Sequence, residues 1–325
     1  MTGMTRRGFV AAGTAGAAFG MAPAIVHAQD YPTKQVRVVV PYPAGGGTDL
    51  VARLIVPRLA DRWKQTVIID NKGGASGILG SEIVAKAPPD GYTLLITTSA
   101  HTINPYTTKV LPYDTERDFT PVTPLIQGAI AIVGSPKAGM DSMEKFMVAA
   151  KANPGKYQFG STENTTRMVG ELFRVKSGLK IENVAYKGAA PMMQELAGGH
   201  IPIGLTSPLT VMAHHRAGTL RMLAVSGDKR LPGLEDIPTI AEAGVPGVDT
   251  LAWFSLFGPG KMSPALANRM RDDVVAVLAE PEMQAKIRDL SSLPGGESPD
   301  AFAQRIKKEL VTWQEVAKEA GIQPE

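Results

Sequence analysis

The run Val36 to Arg53, V-R-V-V-V-P-Y-P-A-G-G-G-T-D-L-V-A-R, constrains the fold more than any other stretch of this chain. A β-branched segment, with valines at 36, 38, 39 and 40, stops at Pro41. A Pro/Gly loop follows, and Thr48-Asp49 then opens an amphipathic segment running to about Trp63. The pattern predicts a strand, a tight loop and a capped helix. Glycine leaves room for backbone to approach a bound group, and the free N–H groups of a helix start attract anions. The element reads either as an ordinary strand-to-helix turn or as a receptor for an oxyanion. The triple glycine has neither the lysine of a phosphate-cradling loop nor the G-x-G-x-x-G spacing, which argues against a nucleotide.

The N-terminus carries an address. Thr5-Arg6-Arg7-Gly8-Phe9-Val10 is a twin-arginine pattern, Ala11 to Met21 is a mildly apolar Gly/Ala-rich stretch, and Val26-His27-Ala28 resembles a signal-cleavage site. Residues 1–28 are therefore expected to be a twin-arginine-type signal peptide, with the mature chain starting at Gln29 in the periplasm. The alternative, an uncleaved anchor, would need roughly 18 consecutive apolar residues, and the stretch is too short and glycine-rich. The chain has no cysteine, which excludes a lipoprotein anchor, disulfides and thiolate chemistry.

The roughly 300 residues left after processing exceed what one compact core usually holds, so two domains are expected. Formal charge is +3, and it falls to +1 once Arg6 and Arg7 are removed. A near-neutral body with mixed charges leaves no footprint for nucleic acid. Short apolar strands alternate with helical patterns, which predicts α/β architecture. Strands are expected at 36–40, 66–69, 93–97, 129–133, 158–160, 183–186, 201–205, 221–226 and 252–257. Helices are expected at 49–63, 77–86, 142–152, 165–177, 190–197, 209–217, 264–279, 281–290 and 299–320. Ser142 and Ser298-Pro299 are start signals, and Gly218 and Gly321 are stops.

No catalytic constellation emerges. His101, His200, His214 and His215 lie in no H-x-x-x-H or H-E-x-x-H array, and there is no G-x-S-x-G elbow. The chain reads as no enzyme, with no metal and no cofactor expected. What stands out is a set of strand-ending loops rich in hydroxyls and glycine: Ala44–Thr48, Thr97–Ala100, Gly160–Thr165 and Thr206–Pro208. Ligands of open α/β sheets bind beyond the carboxyl ends of strands. Such loops, without a nucleophile–base pair, suit binding and release of a small polar molecule.

The order and spacing of many short segments carry a resemblance. They include Pro41–Asp49 with Ala52-Arg53, Asn71–Ala75, Ala87–Leu94, Ile103–Pro105, Ala152–Gly155, Tyr186–Gly188, Ala217–Arg221, Pro238-Thr239 with Glu242–Gly244, and Ala320–Ile322. On these the chain resembles the substrate-binding proteins of tripartite tricarboxylate transporters, the Bug family, over essentially its whole mature length. The resemblance implies a two-lobed periplasmic-binding-protein (Venus flytrap) fold, each lobe a central β-sheet flanked by helices. One lobe would comprise 29–128 plus 253–325 and the other 129–252. It implies a protein, expected to be a monomer, that captures a small carboxylate and delivers it to integral-membrane transporter subunits. A ligand-sensing protein for a two-component sensor kinase is the alternative, and an exported enzyme is a more distant one. Carried over, Tyr42, Ala44, Gly45, Gly46, Thr48 and Asp49 would form a carboxylate pincer, flanked by Thr98 and Ser99. Ser161, Thr162, Asn164, Thr165, Thr206 and Ser207 would face it from the other lobe.

Departures from the family pattern fall on the second-lobe side. Glu163 stands where glycine is common, Arg167 near the place of a histidine, and Thr206 where an aspartate often follows the strand. Glu163 and Arg167 lie four apart, so they are expected either to pair on the first helical turn or to meet a charged ligand group. The hydroxyl-lined loops and the lost aspartate favour a mono- or dicarboxylate with a neutral, hydroxylated or aromatic far end over an amino acid. Tyr42 and Trp253 are the candidates for an aromatic face.

Overall fold

The computed structural model describes residues 31–324; the expected signal peptide and its cleavage site lie outside the described residues. The first lobe opens with β1 (Val36–Val40), α1 (Gly47–Trp63), β2 (Val67–Asn71), α2 (Ile78–Ala85), β3 (Thr93–Thr98), α3 (Ala100–Thr107) and β4 (Phe119–Gly128). The chain then crosses into β5 (Ala131–Gly134), α4 (Met143–Ala152), β6 (Gln158–Ser161), α5 (Asn164–Ser177), β7 (Glu182–Ala185), α6 (Ala189–Gly198), β8 (Ile203–Thr206), α7 (Pro208–Arg216) and β9 (Arg221–Val225). It returns through β10 (Ala252–Pro259), α8 (Pro264–Leu278), α9 (Pro281–Asp289), β11 (Leu293–Pro294) and α10 (Pro299–Ala320). Two sheets result, ordered β11-β4-β10-β3-β1-β2 and β7-β6-β8-β5-β9. This is the expected α/β fold in two lobes.

The valine run of β1 explains how the first sheet is covered. Side chains alternate across a strand. Val36, Val38 and Val40 join Val51, Ile55 and Leu59 of α1 in one core. Val39 points to the opposite face, with Phe119, Phe257 and Phe302. A strand buried on both faces reads as a continuous apolar run.

Three elements were not foreseen: α3, β11 and β4. β4 contains Pro121 and Pro124, which argue against a central strand because proline lacks the N–H a ladder needs. The structure absorbs them with irregular pairing. The register with β10 shifts between Phe254 and Ser255, next to Pro124, and again between Leu256 and Phe257, next to Pro121. On its other side β4 meets only the two residues of β11. The start of α1 also differs from expectation: the helix begins at Gly47, with Gly46 as its N-cap, two residues before Asp49.

α10 spans the two lobes. At 1.5 Å per residue its 22 residues reach about 33 Å. Phe302 and Ile306 pack in the first lobe, whereas Trp313, Val316 and Ala317 pack with Phe146, Leu172 and Phe173 of the second. Arg305 ties it to both crossing points. Its guanidinium donates to Gln127 Oε1 just before the first crossing, to Leu251 O (3.3 Å) just before the second, and to Glu297 (2.8 Å).

Candidate functional site

The loop after β1 is held from behind by one carboxylate. Asp49 is buried, with 1 % of its surface exposed. The Gly45 amide and Arg53 Nε both donate to its Oδ2 at 2.8 Å, and Asn71 Nδ2 donates to its Oδ1 at 3.1 Å. The Arg53 bond first, and then the Gly45 amide, hold the Asp49 pKa below its ordinary value. Asn71 also donates to the Tyr42 carbonyl (3.2 Å), so β2 braces the loop through the same amide. Gly45 has φ +81°, a left-handed conformation that favours glycine. Gly77 permits close approach behind the loop: a Cβ there would lie 2.9 Å from the Tyr42 hydroxyl.

This bracing decides which N–H groups remain available. The Gly45 amide is taken by Asp49, and the Gly46 amide donates to Pro43 O at 3.3 Å. Gly47, Thr48 and Asp49 are the first helical residues, so their amides have no intrahelical acceptor. No other acceptor meets them among the described residues. Gly47 and Thr48 face a cavity of about 370 Å³ between the lobes. Tyr42 lies beside them, its hydroxyl 2.9 Å from Thr98 Oγ1. Burial, with a contribution from the Glu163 carboxylate across the cavity, pushes the Tyr42 pKa up to about 12.

The second face is built on the start of α5. The amides of Thr162 and Glu163 donate to Thr166 Oγ1 at 3.0 and 3.1 Å. Glu163 is the N-cap, and its carboxylate turns one edge back toward the Thr166 amide in a capping box. The residue is exposed to solvent. Protein nevertheless surrounds it closely enough that burial raises its pKa. Of the two alternatives for Glu163 and Arg167, pairing does not occur: Glu163 has no ion pair among the described residues, and Arg167 Nε is buried without a partner. The floor of the cavity comes from the returning strand, through Ala252, Trp253 and Phe254. The Ser99 amide donates to Trp253 O (3.1 Å), and Trp253 Nε1 donates to Glu309 of α10 (3.1 Å).

A family model described as the tripartite tricarboxylate transporter family receptor matches residues 51–322. The chain belongs to this family. BugT of Bordetella pertussis is 30% identical over 300 residues, covering 91% of this chain and 92% of that protein. An R. palustris protein solved with adipate is 35% identical, with a TM-score of 0.77 over 91% of this chain and all of the other. MatC from Rhodopseudomonas palustris with bound malate is 26% identical, with a TM-score of 0.72 over 88% of this chain and all of the other. The fold is the two-lobed α/β fold of periplasmic binding proteins. No helix among the described residues is long and apolar enough to cross a membrane.

In this receptor, six of the residues singled out from sequence line the cavity: Tyr42, Gly46, Thr48, Thr98, Ser99 and Thr165. Ala44 and Gly45 form the exposed outer edge of the loop, and Asp49 lies behind it. Ser161 is buried at the end of β6, Thr162 is tied to Thr166, and Asn164 Nδ2 donates to Thr107 Oγ1 (3.4 Å) on α3. Thr206 is buried at the end of β8, and Ser207 is exposed at the start of α7. None of these eight is among the lining residues. Pro43, Gly47, Ala252 and Phe254 line the cavity and were not singled out. Pro43 and Gly47 had a sequence signal as members of the Pro/Gly loop, whereas Ala252 and Phe254 had only their place on an expected strand.

A groove of about 410 Å³ on the outer side, where α5 meets α10, offers no comparable set. Its Arg305 and Glu309 are already bonded to one another at 3.0 Å. His101 is a core residue, stacked on Tyr113 and edge-on to Phe119. Burial alone drives its pKa down to about 3, so it stays neutral.

Proposed function

We propose that this receptor is an exported periplasmic protein that captures a small carboxylate between its lobes and delivers it to the membrane subunits of a tripartite tricarboxylate-type transporter. The observation that carries the reading is the pair of unbonded amides, Gly47 and Thr48, at the start of a 17-residue helix that opens on the interlobe cavity. Backbone donors at a helix start favour an anion through both hydrogen bonding and the helix dipole. The relatives solved with adipate and malate support a carboxylate as that anion. The twin-arginine pattern at Arg6-Arg7 supports export.

The test uses two substitutions at one position. Gly47→Pro removes one of the two amides. It leaves the fold intact, because proline is favoured at the first helical position and Gly46, at φ −76° and ψ 168°, already has the conformation that precedes proline. Gly47→Ala keeps the amide, and its Cβ would rest 3.6 Å from Phe254, an ordinary contact. Calorimetry with a bound mono- or dicarboxylate should show Gly47→Pro weakened by roughly 1.5–3 kcal/mol, typical of a hydrogen bond to a charged group. Gly47→Ala should stay near wild type. Equal affinity in the two variants would reject the amide site.

A further inference from the structure

The cavity has an unbalanced charge. Among the described residues, twelve line it; Glu163 is the only carboxylate in that set, and the set contains no lysine or arginine. Arg167, one helical turn further on, does not pair with Glu163. The Thr166 amide meets one edge of the carboxylate, but a carboxylate has about four acceptor sites. The remaining sites meet no donor among the described residues. A ligand that fills about 370 Å³ takes the place of solvent there. An ionised group stripped of water needs a partner.

We propose that Glu163 selects the far end of the ligand, and that the ligand is a carboxylate whose opposite end carries an ammonium or similar cationic donor. This rests on the reading of the α1 amides as the carboxylate site. A dicarboxylate would bring two negative charges beside a third, with only amides and hydroxyls to meet them. A zwitterion places its carboxylate at the α1 amides and its cation against Glu163, so each charge is answered. Glu163 and Tyr42, which belongs to the α1 side, line the same cavity, so one small molecule can reach both groups.

This proposal departs from the ligand class expected from Thr206. Thr206 and Ser207 do not line the cavity, so their neutral hydroxyls do not set the chemistry of the far end. The acid missing at Thr206 is supplied by Glu163.

The experiment titrates ligand-free protein with ω-amino carboxylates of three to six carbons, the dicarboxylates and the uncharged alkanoates of matching length, and a set of α-amino acids. Calorimetry near neutral pH compares wild type with Glu163→Gln, which keeps the shape of the side chain and an oxygen facing Thr166. Wild type should bind an amino-bearing carboxylate about tenfold or more tighter than the matching dicarboxylate, and Glu163→Gln should erase most of that ratio. A dicarboxylate that binds wild type as tightly or tighter overturns the proposal, as does a ratio unchanged in the variant. Alkanoates and dicarboxylates binding with Gly47→Pro sensitivity, without any amino-group preference, would sink the Glu163 role and leave the carboxylate site standing. No binding by any of these probes would overturn both.

Discussion

The two faces of the cleft are built on opposite plans. The α1 face presents only uncharged donors, and the polar groups that brace it are settled: Asp49 is bonded to Gly45, Arg53 and Asn71, and the neutral Tyr42 hydroxyl to Thr98. The α5 face presents a carboxylate that no cation among the described residues answers. A face whose geometry is fixed by its own bonds suits a group common to all ligands of a family. A face that leaves a charge open suits discrimination, because the partner that completes it must come from the ligand.

The comparison breaks first at the brace. Asp49→Ala strips the acceptor from the Gly45 amide, from Arg53 and from Asn71. Arg53 is 56% exposed at its side chain and contributes little. Loss of the two remaining bonds at a buried position should cost roughly 2–4 kcal/mol of stability and weaken ligand binding at the α1 face. Chemical denaturation and calorimetry check both; a stability change under about 1 kcal/mol would show that the loop holds its shape unaided. Because the folded pKa of Asp49 is lowered, its contribution is present above its ordinary value of 3.8 and is lost as the pH falls through the folded value.

A smaller effect is expected on the other face. Thr166→Val keeps the shape but removes the oxygen that accepts the Thr162 and Glu163 amides. Thr162 is half-buried and Glu163 exposed, so water substitutes in part and about 1 kcal/mol of stability should be lost. Denaturation that shows a loss as large as that of Asp49→Ala would mean the α5 face is as rigidly braced as the α1 face.

The smallest effect is in pH dependence. Burial raises the pKa of Glu163 above its ordinary 4.5. Folding therefore favours its neutral form relative to the unfolded chain: the stability linked to it is complete below 4.5 and lost as the pH rises through the folded value. Melting temperatures of ligand-free protein from roughly pH 4 to pH 8 should fall less steeply in Glu163→Gln than in wild type. Parallel curves would place the carboxylate in ordinary water.

The sequence by itself determined the alternation of strands and helices, the α/β class and the strand–loop–helix that opens the first lobe. These follow from side-chain periodicity and from proline and glycine punctuation, which act locally. It also marked Thr48, Thr98, Ser99 and Thr165, since loops at strand ends are legible as loops. It did not separate Asp49, which braces the loop from behind, from Thr48, which faces the cavity. Adjacent helical residues point about 100° apart, and only the packed helix fixes which one turns inward. β4 was hidden because its prolines are tolerated only through bulges against β10, a strand more than a hundred residues away. Phe254 and Ala252 joined the site for the same reason: the returning chain carries β10 between β3 and β4. Whether Glu163 would pair with Arg167 was a question of side-chain direction at the start of α5. Tertiary packing turned one toward the cavity and buried the Nε of the other, and that choice left the cleft its unanswered charge.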